Sequence, residues 1–184
     1  YSNLLAPGFD YSWTTPGVFV QDDIALAPAV SFSVSARVDA HPEYGALWSP
    51  RASLRLQPGE WDVRFSAGRG AFAPTVFVDE VEEVGVTRVG AVRLERAETA
   101  ETWSADVSRK VGAVEVSGTW FGSRIHSPVV AHVFTNGPPR LEVFNQPQGT
   151  ASSTRTWGAE LFGRFRSGPC VALTHVCVNA TQAG

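Results

Sequence analysis

Few residues in this chain are spaced for covalent chemistry, and those few can be weighed one at a time. The two cysteines, Cys170 and Cys177, are seven positions apart. On one extended strand such positions face opposite sides and sit too far apart to bridge, so free thiols are expected. No CxxC or HxxxH spacing supports a metal site. His41, His126, His132 and His175 each stand alone in the sequence, as rim or surface histidines do. Gly68-Arg69-Gly70 lacks the strand-to-helix context of a phosphate-cradling loop, and no Ser/His/Asp spacing is of interest. No catalytic residue, metal set or cofactor is therefore expected. The chain reads as something that binds or encloses.

The elements that must position any binding group are strands. From Ser31 to Asp39, Phe32, Val34, Ala36 and Val38 alternate with Ser31, Ser33, Ser35, Arg37 and Asp39. Successive strand side chains point to opposite faces, so this pattern demands one apolar and one charged surface. Seven more segments alternate in the same manner: 17–27, 46–57, 61–72, 99–110, 114–126, 154–166 and, least regularly, 170–180. Pro50 lies inside the third segment and cannot donate to a ladder, so a bulge or a local gap in pairing is expected there. Asp22 interrupts the apolar face of the first.

Tight turns are expected at 28–30, 58–60, 111–113 and 167–169, each after an odd-numbered strand. The longer connections, including 73–97 and 127–153 with no steady period, follow even-numbered strands. In an up-and-down meander every second connection lies at the same end. Short turns thus share one rim and long loops the other.

Totals narrow the class. With 43% hydrophobic and 18% charged residues among 184, the chain can fold. No apolar run approaches the roughly 20 residues of a membrane helix, but a barrel strand needs only about 10, apolar at every second position. A net charge of −3 offers no footprint for nucleic acid. Alternation alone does not say which face is outside. The polar face carries Arg37, Asp39, Arg51, Arg55, Asp62, Arg64, Asp106, Glu160, Arg164 and Arg166, which need water. Trp61, Trp120 and Trp157 sit near the ends of the apolar faces, where an aromatic girdle would fall. Loops of about 25 residues are usual on the outer rim of porin-like barrels. The fold expected is all-β, an up-and-down antiparallel transmembrane barrel sector of about eight strands.

Several segments then resemble the barrel domain of TonB-dependent outer-membrane receptors. Val18-Phe19-Val20-Gln21-Asp22-Asp23 is similar to that family's strand opening, an aromatic followed by Gln-Asp-Asp/Glu. Ala36-Arg37-Val38-Asp39 resembles its Gly-Leu-Arg-Tyr-Asp strand end. Trp48-Ser49-Pro50-Arg51 resembles its Ser-Pro-Arg strand. Gly68-Arg69-Gly70-Ala71-Phe72-Ala73-Pro74-Thr75 looks like the Gly-Arg-Gly-Phe-Arg-Ala-Pro-Thr element before an extracellular loop. Leu94-Glu95-Arg96-Ala97-Glu98-Thr99 resembles the Leu-Lys-Pro-Glu-Thr that starts the following strand, and Trp157-Gly158-Ala159-Glu160-Leu161 resembles the family's Gly-x-Glu-Leu/Ala strand. The segments follow the family's order over about residues 17–166.

The resemblance implies part of a larger barrel of about 22 strands. Without Met and beginning at Tyr1, the chain reads as an internal piece of one such domain, with neither plug domain nor signal peptide in it. The implied activity is energy-coupled uptake of a scarce ligand, such as siderophore-bound iron, cobalamin or an oligosaccharide, across the outer membrane of a Gram-negative bacterium. The implied partners are outer-membrane lipid, that ligand, and the inner-membrane TonB complex acting through a plug. Ligand contacts are expected on the long-loop rim. The candidates are the acidic stretch Asp79, Glu80, Glu82 and Glu83, and the aromatic and amide groups Phe134, Asn136, Phe144, Asn145 and Gln146. Each has a plainer use, as solvated surface or as packing between loops. Wall arginines such as Arg37, Arg51 and Arg64 are expected to pair with wall carboxylates or a plug. A passive porin-like or adhesive barrel and a soluble lipocalin-like binder are the competing readings.

Overall fold

Alternation becomes architecture through register. A computed structural model describes residues 12–74, 89–134, 140–145 and 153–183. Eleven strands are present among them: β1 Gly17–Ala27, β2 Val30–His41, β3 Gly45–Leu56, β4 Trp61–Phe72, β5 Val89–Arg93, β6 Glu98–Val111, β7 Val114–His126, β8 Val129–Phe134, β9 Arg140–Asn145, β10 Ser153–Ser167 and β11 Cys170–Ala183. Eight form one sheet in the order β1-β2-β3-β4-β6-β7-β10-β11, and all its neighbours are antiparallel. These are the eight expected strands, with bounds moved by at most a few residues.

The other three correct the sequence reading. The long connections are not wholly irregular: they contribute β5, β8 and β9 to a separate three-stranded sheet in which β5 runs parallel to β9.

One row of neighbours shows what the register achieves. Ile24, Phe32, Leu54, Phe65, Ala105, Trp120, Ala159 and Val178 stand side by side across the whole large sheet. The next row, on the opposite face, runs Asp23, Ser33, Ser53, Ser66, Ser104, Phe121, Gly158 and Asn179. No core covers the apolar face: Trp120 is 56% exposed and Val178 61%, and the fully buried apolar side chains among the described residues, Val143 in the small sheet and Pro74 after β4, lie off it.

Turn chemistry fixes the hairpins. Val111 pairs with Val114 and Ser167 with Cys170, leaving two-residue loops. Gly112 (φ 58°) and Gly168 (φ 57°) take the left-handed position, while Ala113 and Pro169 do not, which is the sign pattern of a type II′ turn. Pro28-Ala29 has no such residue, and a register shift between Ala25 and Ala27 absorbs the mismatch.

Successive hairpins also recede along the rows. The row through Val30 meets β6 at Val107 and β10 at Leu161, well before those strands reach their own turns after Val111 and Ser167. The stagger is about one residue per strand; with ~3.3 Å per residue and ~4.8 Å between strands this is a tilt of roughly 35°. Tilt of that size is what a barrel wall requires.

On the polar face, Phe121 lies across Gly158 of the neighbouring strand. A Cβ at Gly158 would sit 2.6 Å from the Phe121 ring and 2.7 Å from the Val178 carbonyl oxygen. Gly158→Val is expected to destabilise the sheet by about 1–3 kcal/mol. Gly70→Ala, where nothing lies within 4 Å, should change stability by less than about 0.5 kcal/mol. Denaturant unfolding in micelles, followed by tryptophan emission, measures both.

Candidate functional site

The polar wall is held by local ion pairs. Arg37 donates to both carboxylate oxygens of Asp39 at 2.7–2.9 Å, two positions along the same strand and on the same face. Arg55 reaches Asp62 across the β3–β4 turn, with Nε at 2.9 and 3.0 Å from the two oxygens. Arg164 pairs with Glu115 directly opposite it on β7. The expectation that wall arginines meet wall carboxylates therefore holds for Arg37.

Arg51 and Arg64 behave differently, since neither makes an ion pair among the described residues. Arg64 stands between Arg55 and Asp106. Asp106 instead accepts from Ser104 (3.2 Å) and Thr119 (2.9 Å). Arg51 and Arg64 line a trough of about 290 Å³ with Gln21, Asp23, Ser35, Ser53 and Ser66. Two guanidiniums outside ion-pair distance of any described carboxylate, set among hydroxyls, an amide and the Asp23 carboxylate, make this a polar surface able to receive anions. The sequence marks each of these residues as polar-face. Only the cross-strand register reveals that they adjoin.

At the long-loop end, side chains tie separate segments together. His41, expected at the surface, is 6% exposed. Its Nδ1 accepts the backbone N–H groups of Glu43 (3.2 Å) and Tyr44 (3.3 Å), so the proton of the neutral ring sits on Nε2. The rings of Trp13 and Tyr44 lie 4.8 and 4.9 Å from it. The Tyr44 hydroxyl reaches the carbonyls of Pro74 and Leu94 (3.3 and 3.4 Å), joining the β2–β3 turn to the segments after β4 and before β6. No sequence signal announces this nest, because its members come from distant segments.

The expected ligand contacts are only partly placed. Asp79, Glu80, Glu82, Glu83, Asn136 and Gln146 lie outside the described residues. Phe134 ends β8. Phe144 is half-buried on β9, between Val130 of β8 and Arg93 of β5. Asn145 is engaged with the main chain: its amide nitrogen donates to the Ser127 carbonyl and its oxygen accepts the Arg96 N–H, both at 3.1 Å. Glu98 accepts the Val129 N–H at 3.2 Å, so the small sheet is fastened to the wall through side chains. Cys170 and Cys177 are free thiols, and the Cys177 Sγ is 3.7 Å from Glu160 Oε1. Among the described residues no group of three or more His, Cys, Asp and Glu side chains could hold a metal ion.

With tilt and sidedness in place, comparison with known proteins settles the class. The profile of the family described as TonB dependent receptor-like, beta-barrel matches residues 3–181. The chain belongs to that family, whose members are receptors and transporters rather than enzymes and reside in the outer membrane of Gram-negative bacteria.

Among solved structures, the siderophore receptor PirA from Pseudomonas aeruginosa superposes with a TM-score of 0.73 at 17% identity, over 91% of this chain and 32% of that one. The FrpB iron transporter from Neisseria meningitidis (F3-3 variant) gives 0.70 at 17%, over 94% and 27%. The copper transporter OprC gives 0.70 at 10%, over 92% and 28%. At these identities the likeness establishes the fold. The chain spans about a third or less of each of these receptors. No curated protein sequence matches it.

Removing the Asn145 amide tests whether it is a tie between wall and loop. Asn145→Ala forfeits two hydrogen bonds worth about 1 kcal/mol each. Amide exchange at Arg96 should then accelerate by about tenfold or more, read by hydrogen–deuterium exchange, while exchange in β2 stays unchanged.

Proposed function

We propose that this chain is a sector of the wall of an outer-membrane receptor that imports a scarce, bulky ligand with energy supplied from the inner membrane. The observation that carries the reading is sidedness. A continuous row of Ile24, Phe32, Leu54, Phe65, Ala105, Trp120, Ala159 and Val178 meets no protein core, while arginines and hydroxyls occupy the other face. The first face contacts lipid hydrocarbon, and the second lines a wet interior.

The dimensions support it. Trp103 and Trp157 lie eight and ten residues from the ends of β6 and β10 at the short turns. At ~3.3 Å per residue and a tilt of roughly 35°, they stand about 22–27 Å above that rim, close to the ~25 Å apolar band of such barrels. Trp61 marks the lower boundary. The Arg109 guanidinium lies 5.1 Å from its ring centroid and 3.0 Å from Glu60, a cation held where hydrocarbon ends.

The ligand class is a metal complex, such as iron bound to a siderophore, ahead of cobalamin or an oligosaccharide. Support comes from the neighbours, which are a siderophore receptor, an iron transporter and a copper transporter. Residues of the connections after β4 and β7, Asp79, Glu80, Glu82, Glu83, Phe134, Asn136, Phe144 and Gln146 among them, make first contact. Arg51 and Arg64 face a plug that lies outside these 184 residues and transmits the force of the TonB complex.

Uptake of a radiolabelled ferric siderophore by cells expressing the protein tests this directly. Uptake should stop when the proton gradient is collapsed, an energy requirement that a passive pore does not have. Undiminished entry after collapse would mean a passive channel and end the proposal.

A further inference from the structure

Near the long-loop end, the apolar face carries a groove unlike the rest of its surface. Trp103, Gly122 and Trp157 occupy one row on β6, β7 and β10. Two residues nearer the long loops, the same face presents Glu101, Arg124 and Arg155, again in one row. These six, with Ser123 and Thr156, line a groove of about 350 Å³. Gly122 is its floor and seats the Trp103 indole. A Cβ there would stand 2.5 Å from the Trp103 ring, so glycine alone lets that indole lie across β7. Trp120 braces the same indole edge-on, with centroids 5.1 Å apart.

The two arginines are the unusual feature. Arg124 and Arg155 are direct cross-strand partners, both exposed, and neither makes an ion pair among the described residues. Like charges directly opposed destabilise a sheet. Glu101, on the other side of Arg124, lies instead 3.5 Å from His126. An anion shared between the two guanidiniums would relieve the repulsion, and planar donor forks suit phosphate oxygens.

We propose that this groove binds a phosphate-bearing membrane lipid of the leaflet at the long-loop end. An acyl chain lies against the indoles of Trp103 and Trp157, and the phosphate accepts hydrogen bonds from Arg124 and Arg155. The proposal rests on the tryptophan-bearing face meeting hydrocarbon. Position favours a lipid over a soluble anion, because the guanidiniums lie one row beyond the tryptophans, where hydrocarbon gives way to headgroups. The aromatic half of the groove would have no role for a free ion.

Native mass spectrometry of the protein in detergent micelles tests this with phosphatidic acid, phosphatidylcholine and inorganic phosphate as probes. The wild type should retain phosphatidic acid about tenfold more tightly than phosphatidylcholine, whose phosphate is masked, and retain no inorganic phosphate. The double variant R124Q/R155Q should lose that preference, and R155Q alone should weaken it. Arg109→Gln, the same charge change at the opposite rim, should leave it intact. An unchanged preference in the double variant, or equal retention of inorganic phosphate, overturns the proposal. Lipid with brominated chains separates this outcome from failure of the underlying reading. Quenching of tryptophan emission without a phosphatidic acid preference removes the phosphate site alone, whereas no quenching in wild type or variant removes the lipid-facing assignment with it.

Discussion

Cross-strand register is the constraint on which everything else depends. Because strand side chains alternate, a slip of one residue at any pairing sends that strand's apolar set to the wet face. An apolar row from Ile24 to Val178 exists only if all seven pairings of the large sheet hold at once. Five are hairpins whose short connections set the register, with left-handed glycines at Gly45, Gly59, Gly112 and Gly168. Where long connections intervene, side chains take over that work. Between β4 and β6, Arg109 sits over Trp61 and pairs with Glu60. Between β7 and β10, Glu115 meets Arg164 directly across the ladder, and Phe121 fits over Gly158. Each device works in one register only.

Such constraints explain which parts of the molecule were legible. The eight wall strands could be read from the sequence because their signals are local: one face dry, the other wet, punctuated by turn residues. β5, β8 and β9 could not. They form a short sheet at the rim, and β5 finds its parallel partner β9 about fifty residues later, through contacts that leave no alternation behind. Ion pairs divide in the same way. Arg37–Asp39 is two residues apart on one strand and visible by inspection. Arg64 is left without an ion pair because the Asp106 opposite it is taken by Ser104 and Thr119, which only register reveals. His41 departs from its sequence pattern for a related reason: a lone histidine at a strand end reads as surface, and its burial needs Trp13 and Tyr44 from either side.

Pro50 shows how the wall ends. No register shift occurs at this residue, which pairs in line with Ala36 of β2. The gap lies on its other side: the β3–β4 ladder runs from Leu56↔Val63 to Arg51↔Gly68 and stops there. From Gly45 to Pro50, the edge of β3 facing β4 is unpaired, although β4 stays bonded to β6 as far as Phe72. Unpaired backbone is intolerable against hydrocarbon, where each unsatisfied group costs several kcal/mol. The fork must therefore stand in water or headgroups. Its position is consistent with that requirement, since it opens on the long-loop half of the strands and Tyr44 closes its mouth through Pro74 and Leu94. Two unrelated features thus mark the same boundary. One is the point where the ladder can afford to open, and the other is the point where Glu101, Arg124 and Arg155 replace apolar residues on the outer face. A soluble sheet with a dry core on that face would have no reason to change both its backbone pairing and its surface chemistry at one level.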